Sequence, residues 1–293
     1  MRLARFIKII KKYIRFNIYY QLKYLIIKPL SVFIFKYELK NSKFKIKYKQ
    51  KISTTVYQTW LKKKFNKKHY SALLKFREIN PQLSFMLYDD KEMNDYIKKN
   101  WSSHPISKVY NKLAFGPLKT DIFRYCILYD KGGYYFDIDK MCTRPLVSLH
   151  PKNASGLITF EPYYHKKEMN KKIIKIIKIS DNNMCQWGFG FKKKHKILLK
   201  LINNICQKFS EKKIYNYHYK TFIKGATKFT GPAIFTDTVR NFLRKKNDKN
   251  LCFLKTNFNG CGVFRIKGSH WRYILRRPAW TYQNIKLINK IND

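Results

Sequence analysis

Acidic residues are scarce in this chain. It has 17 aspartates and glutamates against 63 lysines and arginines, which gives a formal net charge of +46. A charge of this size attracts polyanions such as nucleic acid, anionic lipid or phosphorylated substrates. Lysine, isoleucine and asparagine are all abundant, however, and an AT-rich coding sequence would produce the same balance. The charge alone therefore selects no function, and the few acidic residues become the informative ones.

Long apolar runs are also missing. No uncharged stretch approaches the roughly 18 residues that a membrane-spanning helix needs. Lysine or arginine interrupts the apolar blocks near the N-terminus, which argues against a cleavable signal peptide. We therefore expect a cytoplasmic protein, or one that lies peripherally on a membrane surface.

Cysteine is present but shows no metal-binding pattern. The six cysteines include no Cys-x-x-Cys pair and no cysteine–histidine cluster that suggests zinc. We expect thiols, and the spacing leaves disulfides open. Hydrophobic residues make up 45% of the 293 residues, which is typical of a folded chain with a sizeable core rather than a disordered one.

Residues 1–50 form a basic segment with 14 lysines and arginines and one acidic residue, Glu38. Aromatic and aliphatic residues recur every three to four positions from Ile9 to Tyr24, with basic residues between them. This pattern predicts an amphipathic helix that binds an anionic membrane surface. Packing of the helix on the folded domain is the alternative. We expect the remaining chain, 51–293, to form one domain.

Strand-like and helix-like segments alternate along that domain. Such alternation predicts an α/β fold with a mixed, mainly parallel sheet flanked by helices. Asp89 and Asp90 are expected to cap a helix rather than to bind metal. The predicted strands cover 52–60, 83–88, 134–139 and 156–161, and the predicted helices cover 70–79, 92–100, 117–131 and 196–210.

The most regular stretch runs from 114 to 145 and reads AFGPLKTDIFRYCILYDKGGYYFDIDKMCTRP. Pro117 suits a first helical turn, and apolar residues at helical spacing then predict one buried stripe. Asp121 and Arg124 are three residues apart, so they project from neighbouring points of another helix face. The glycine pair that begins at Gly132 predicts a helix end with positive φ angles.

Two aspartates follow in the predicted strand Tyr134–Asp139. A period of two places Tyr135, Asp137 and Asp139 on one face of that strand. Two carboxylates at the carboxyl end of a strand form a hard oxygen site suited to Mg²⁺ or Mn²⁺. An isolated Asp-x-Asp more often marks a solvated turn, but the scarcity of acidic residues favours the metal site.

The run TDIFRYCILYDKGGYYFDIDKMCTRPL resembles the Asp-x-Asp glycosyltransferases related to yeast initiating α-1,6-mannosyltransferase and to bacterial capsular-polysaccharide transferases. The glucosylating clostridial toxins share a more distant version of the pattern. Matches at many fixed spacings make this signal far more specific than Asp-x-Asp alone. The matching residues are Asp121, Arg124, Tyr125, Leu128, Tyr129, Gly132, Gly133, Tyr135, Asp137 and Asp139.

The resemblance implies a GT-A-like domain that transfers a hexose from a nucleotide-diphosphate sugar, a UDP- or GDP-hexose, to a glycan or lipid-linked acceptor. It implies Mn²⁺ or Mg²⁺ as cofactor and retention of the anomeric configuration. No specific nucleic-acid partner is expected. The catalytic residues implied are Asp121 and Arg124, which would orient the sugar and meet the phosphates, with Asp137 and Asp139 as metal ligands.

Further residues are implied by shorter matches. The first strand keeps the Gln-x-Trp end of a family motif, with Tyr57 where the family usually has histidine. Asn182 is nearly as good a candidate as Asn183 for a sugar contact. Near the C-terminus, residues 268–271 and 278–280 resemble a closing His-x-x-x-x-Ser-Trp segment of the family, with Ala279 in place of its serine. This match implies His270 as a third metal ligand. The implied donor-binding residues are Gln58, Thr59, Trp60, Asp121, Arg124, Tyr135, Asn183, Thr230, Gly231 and Trp280.

Two other functions are compatible with parts of the sequence. A nucleic-acid-binding protein or metal-dependent nuclease would suit the positive charge and the Asp-x-Asp pair. No nucleic-acid-binding motif is present, and a nuclease site normally contains more carboxylates. A non-catalytic protein of the membrane surface would suit residues 1–50, but the intact motif argues against a protein without activity.

Overall fold

The computed structural model describes residues 37–44, 49–114, 116–161, 183–211, 228–245 and 248–264. Strands and helices alternate through these ranges as the sequence predicts. The strands are β1 (Tyr37–Glu38), β2 (Thr55–Thr59), β3 (Lys64–Phe65), β4 (Ser84–Tyr88), β5 (Gly133–Phe136), β6 (Lys140–Cys142), β7 (Gly156–Ile158), β8 (Gly188–Phe191), β9 (Leu251–Phe253) and β10 (Gly262–Phe264). The longer helices are α1 (Lys67–Ile79), α2 (Asp90–Trp101), α3 (Pro105–Lys112), α4 (Gly116–Lys131), α5 (Lys196–Ser210) and α6 (Pro232–Lys245).

The main sheet of this described part has six strands in the order β4-β2-β5-β8-β7-β9. Strand β2 is parallel to both β4 and β5. Strand β8 is antiparallel to β5 and to β7, and β9 is parallel to β7. Only β8 therefore runs against the other five strands. The predicted architecture, a mixed and mainly parallel sheet flanked by helices, is confirmed and is consistent with a GT-A-like fold.

Both faces of the sheet are buried. Tyr57 and Tyr135 pack on one face with apolar residues of α2 to α6. Val56, Tyr134 and Phe136 pack on the other face with residues of α1 and β6. Burial on both faces is why these strands are almost continuously apolar. The polar residues that interrupt this pattern lie where β2 and β5 end.

Local signals set the ends of several helices. Asp89 caps α2 in a capping box with Glu92, as the sequence predicts. Helix α4 ends before Gly132 and Gly133, whose φ angles are +67° and +112°. Cys126 is fully buried on the apolar stripe of that helix. None of the six cysteines forms a disulfide.

The strand that leads to the aspartate pair is shorter than predicted. It ends at Phe136, and residues 137–139 form a turn in which the Lys140 N–H donates to the Asp137 carbonyl, 3.0 Å away. The expected strand over Tyr134–Asp139 is thus wrong beyond Phe136. Because the chain turns here, a strand period of two does not determine how the two carboxylates are oriented.

Part of the N-terminal segment lies among the described residues. Strand β1 pairs with β3, and Ser42 forms an antiparallel bridge with Phe85 of β4. The amphipathic helix expected from Ile9 to Tyr24 lies outside the described residues. Over the ranges that are described, no helix combines the length and the apolar character needed to cross a membrane.

Gly133 offers a test of the turn that joins α4 to β5. A Cβ atom there would lie 2.4 Å from the Thr55 carbonyl oxygen, and the φ angle of +112° is unfavourable for other residues. We expect Gly133→Ala to lower the free energy of unfolding by about 1–3 kcal/mol, measured by denaturant titration. Gly116→Ala is the matched control, because a Cβ atom at Gly116 meets nothing within 4 Å. Equal stability of the two variants would contradict the prediction.

Candidate active site

Helix α4 and the turn after β5 form a charged cluster around Arg124. The Nη2 atom of Arg124 lies 3.2 Å from Asp121 Oδ1 and 3.3 Å from Asp137 Oδ1. Asp121 and Arg124 reach the same point because they are three residues apart on α4. Asp137 reaches it because β5 lies beside this helix. One guanidinium therefore holds two carboxylates from different elements.

The remaining contacts fix the plane of the guanidinium. Its Nη1 atom donates to the Gln186 carbonyl at 2.8 Å, and its Cζ atom lies 4.3 Å from the centre of the Tyr135 ring. The Tyr135 hydroxyl is in turn 2.8 Å from Thr59 Oγ1. Arginine suits this position because its planar, always charged group binds carboxylates and stacks on an aromatic ring at once.

The segment Thr230-Gly-Pro232 lies against the same cluster. Thr230 Oγ1 donates to Asp121 Oδ2 at 2.7 Å, and the Thr230 carbonyl accepts from the Tyr125 hydroxyl. The Gln186 side chain also donates to that carbonyl, at 3.1 Å. Helix α6 begins two residues later, so its positive N-terminal end lies close to the site. These contacts place Thr230, one of the expected donor-binding residues, on the charged cluster.

Burial and charge act in opposite directions on the acidic groups. Burial raises the pKa of Asp121 to about 6, while Arg124 and the Thr230 hydrogen bond lower it. Burial also raises the pKa of Asp137, and Arg124 opposes that shift. The side chain of Asp137 is nevertheless 32% exposed, against 12% for Asp121. Asp137 is therefore the carboxylate of this pair that a ligand could reach.

Asp139 has a different partner. The Nζ atom of Lys140 lies 3.0 Å from both carboxylate oxygens of Asp139, and both residues are buried. The Lys140 ammonium also lies 5.9 Å from the centre of the Trp187 ring. The turn itself is anchored by His69 of α1, whose Nε2 atom is 3.0 Å from the Ile138 carbonyl oxygen. Each aspartate of the Asp-x-Asp pair therefore forms an ion pair with a side chain of the protein, Asp137 with Arg124 and Asp139 with Lys140.

The donor atoms fit a hard divalent cation. Asp137 and Asp139 offer carboxylate oxygens, the ligand type that Mg²⁺ and Mn²⁺ prefer. Among the described residues, no group of three or more histidines, cysteines, aspartates or glutamates is placed to hold a metal ion. An ion bound by this pair would therefore need further ligands, and phosphate oxygens of a substrate are of the right type.

Two other predicted site residues, Gln58 and Trp60, lie in β2 or directly after it. The Trp60 ring packs on Phe65 and His69, so it touches the residue that anchors the aspartate turn. Gln58 pairs with Leu87 of β4 and directly precedes Thr59 in β2. Because side chains alternate along a strand, the Gln58 side chain lies on the opposite face of the sheet from that of Thr59.

The later predicted residues lie further along the chain. Asn183 is exposed, and its carbonyl accepts the Glu161 N–H. Gly231 is buried between Thr230 and the start of α6. Four further residues that the resemblance implicates lie outside the described residues: Asn182, His270, Ala279 and Trp280.

Three residues near the site were not predicted from the sequence. Gln186 contacts Arg124, Tyr125 and Thr230. His69 holds the aspartate turn. Glu161 accepts the Trp187 indole N–H at 3.2 Å. Glu161 was detectable as an acidic residue at the end of a predicted strand in a chain poor in acids, whereas no local pattern distinguishes Gln186 or His69.

Comparison with known proteins identifies the same part of the chain that forms the charged cluster. Residues 55–156, which include β2 to β5 and the aspartate turn, match the family model described as "Glycosyltransferase sugar-binding region containing DXD motif". The chain is 29% identical over 209 residues to the initiation-specific alpha-1,6-mannosyltransferase of Candida albicans, covering 64% of this chain and 52% of that protein. It is 25% identical over 214 residues to the Schizosaccharomyces pombe protein of the same name, covering 68% and 51%.

The chain thus spans about half the length of the curated relatives it matches. Among solved structures it is similar to the PaToxG glycosyltransferase, with 18% identity, a TM-score of 0.47 and coverage of 80% of this chain and 83% of that chain. That likeness is too distant to bear on the site. The family model and the mannosyltransferase relatives confirm the resemblance that the motif indicates, and they support a glycosyltransferase enzyme.

Proposed function

We propose that this protein transfers a hexose from a nucleotide-diphosphate sugar to a glycan or lipid-linked acceptor, with Mn²⁺ or Mg²⁺ as cofactor. One observation carries the proposal: Arg124 joins Asp121 to Asp137 at the carboxyl end of β5, two residues before Asp139 in the turn. Ligands of open α/β sheets bind at this end of the strands. The family match covers this part of the chain.

The residues divide the work of such a transfer between them. Cleavage at the anomeric carbon leaves negative charge on the departing diphosphate and positive charge on the sugar ring. A divalent ion held by Asp137 and Asp139 would supply electrostatic stabilisation of the diphosphate. Arg124 would add a fixed cation near the phosphates. Because its contacts already hold it in place, it would stabilise their charge without rearranging during the reaction.

Asp121 and its neighbours orient the sugar. The Asp121 carboxylate can accept hydrogen bonds from sugar hydroxyls, and Thr230 and Arg124 hold it in one orientation. Retention of the anomeric configuration is what the resemblance implies, and the described residues present no evident nucleophile for a double displacement. We therefore propose attack on the same face that the leaving group departs from, with retention of configuration and with donor phosphate accepting the acceptor's proton.

A donor screen tests this function directly. UDP- and GDP-hexoses should be incubated with the full chain and Mn²⁺, and release of the nucleoside diphosphate should be measured with and without a chelator. The names of the relatives make mannose the first hexose to test. Turnover of one donor that stops on chelation is expected. The absence of turnover across the screen, or turnover that chelation does not alter, would contradict the proposal.

We also propose that the basic segment 1–50 brings the enzyme to an anionic membrane surface, where a lipid-linked acceptor would lie. Replacing Lys8, Lys11, Lys12 and Arg15 together by glutamine should weaken binding to anionic vesicles by roughly 1,000-fold, at about 1 kcal/mol per basic residue. Vesicle co-sedimentation of the full chain measures this loss.

A matched variant controls for net charge. Glutamine at Lys67, Lys68, Lys98 and Lys99 removes the same charge from exposed positions of α1 and α2. This variant should bind vesicles nearly as well as the wild type. If both variants lose binding equally, the overall charge of the protein, and not the N-terminal segment, determines membrane affinity.

A further inference from the structure

Lys140 occupies a place where a metal ion would be expected. Its Nζ atom lies 3.0 Å from both oxygens of Asp139, so the ammonium spans the whole carboxylate edge. Lysine and aspartate are each at most 6% exposed, so water screens this pair weakly. A divalent ion that binds Asp139 would be repelled by the Lys140 ammonium, which already contacts the same carboxylate. The two cations compete for one carboxylate.

A second carboxylate interacts electrostatically with the same lysine. Glu161 accepts the indole N–H of Trp187, and the Lys140 ammonium lies near the ring of that tryptophan. The Trp187 carbonyl also accepts the Asp137 N–H at 2.7 Å, so Trp187 connects Glu161 to the aspartate turn. Burial raises the pKa of Glu161 to about 7, while the indole hydrogen bond and the Lys140 charge lower it. Glu161 is thus a buried carboxyl that a nearby cation would favour in its ionised form.

We propose that Lys140 competes with the divalent ion for Asp139, and that its ammonium moves to Glu161 when the ion binds. Lysine suits this role because its charge is a point at the end of a flexible stem, unlike the fixed fork of arginine. The move would keep the lysine paired and would remove its repulsion from the ion. The inference rests on the proposed function, since it concerns the metal site of that reaction.

Binding of Mn²⁺ alone tests this competition. Affinity should be measured at pH 8, by calorimetry and by the spectrum of unbound Mn²⁺, for the full chain and for Lys140→Met. Removal of the ammonium should tighten Mn²⁺ binding by at least about tenfold, the scale on which residues around metal ligands change affinity. Lys194→Met is the matched control, because Lys194 forms an exposed ion pair with Asp130 away from the site. It should leave the affinity unchanged.

Glu161→Gln provides a second variant that does not depend on how well Lys140→Met folds. It removes the alternative partner of the ammonium, so Mn²⁺ binding should weaken several-fold, on the scale of outer-shell partners. In the Lys140→Met background the same substitution should have no effect. If Glu161→Gln weakens binding equally in both backgrounds, Glu161 acts on the metal independently of Lys140 and the proposal is wrong.

The outcomes separate this inference from the proposed function. Unchanged Mn²⁺ affinity in Lys140→Met overturns the competition even if the donor screen succeeds. Tighter binding in Lys140→Met supports the competition even if no donor is turned over, and then only the transfer reaction is in doubt. If chelation leaves wild-type turnover intact and Lys140→Met is inactive, Lys140 itself supplies the cation and the competition is overturned.

Discussion

Asp139→Asn is expected to lower donor turnover by at least about 100-fold, the scale on which one preorganised electrostatic contact acts. The departing diphosphate gains negative charge, and Asp139 would hold the ion that offsets it. Asparagine is a better probe than alanine here. Lys140 Nζ contacts both oxygens of Asp139, so alanine would remove both acceptors of this buried contact, whereas asparagine keeps one. Turnover at saturating donor and Mn²⁺ measures the effect.

Two controls accompany this variant. Asp95→Asn makes the same chemical change at an exposed position of α2 and should retain wild-type turnover. Added Mn²⁺ should restore turnover to chelated wild type but not to Asp139→Asn. A fully active Asp139→Asn protein would rule out a metal-dependent role for this aspartate, however well the motif matches.

Arg124→Met is expected to lower the free energy of unfolding by about 3–5 kcal/mol at pH 8, because it leaves the buried Asp121 and the partly exposed Asp137 without their cation. Its turnover should fall as well. The stability loss should shrink toward pH 5. The pKa of Asp121 is already raised to about 6 with the arginine present, and it rises further without it. A raised pKa means that stability is present at low pH and is lost as pH rises through the folded-state value.

A double variant separates folding from chemistry. Asp121→Asn in the Arg124→Met background removes one uncompensated charge, so it should recover part of the stability without recovering turnover. Arg244→Met, at an exposed position near the end of α6, is the matched control and should alter neither quantity. A stability loss in Arg124→Met that is the same at pH 5 and pH 8 would contradict the electrostatic explanation.

Local rules predicted the elements that depend on neighbouring residues. The glycine pair at Gly132 ends α4 because its positive φ angles are costly for other residues. Asp89 caps α2 because its carboxylate reaches a backbone N–H three residues ahead. Helix α5 has the predicted bounds because its apolar period is clear along its whole length. Each of these features is a short-range interaction, which a sequence window contains completely.

The strand before the aspartates shows where such rules stop. The alternation of Tyr134-Tyr-Phe-Asp-Ile-Asp139 continues past Phe136, so a period of two predicts a longer strand. Backbone partners decide otherwise, because the chain turns where the Lys140 N–H bonds to the Asp137 carbonyl. His69 then anchors the turn through the Ile138 carbonyl, from a helix about 70 residues away in sequence. No sequence window contains both residues.

The sequence by itself determined the α/β class, the helix that carries Asp121 and Arg124, and the resemblance that joins them to Asp137 and Asp139. It could do so because these residues lie within one continuous motif. Only the tertiary structure brought Gln186 onto that motif, bonded Thr230 to Asp121, paired Lys140 with Asp139 and placed Glu161 beside Trp187. The physical reason is that ion pairs and hydrogen bonds depend on distances of about 3 Å, which are set by packing of the whole sheet and its helices.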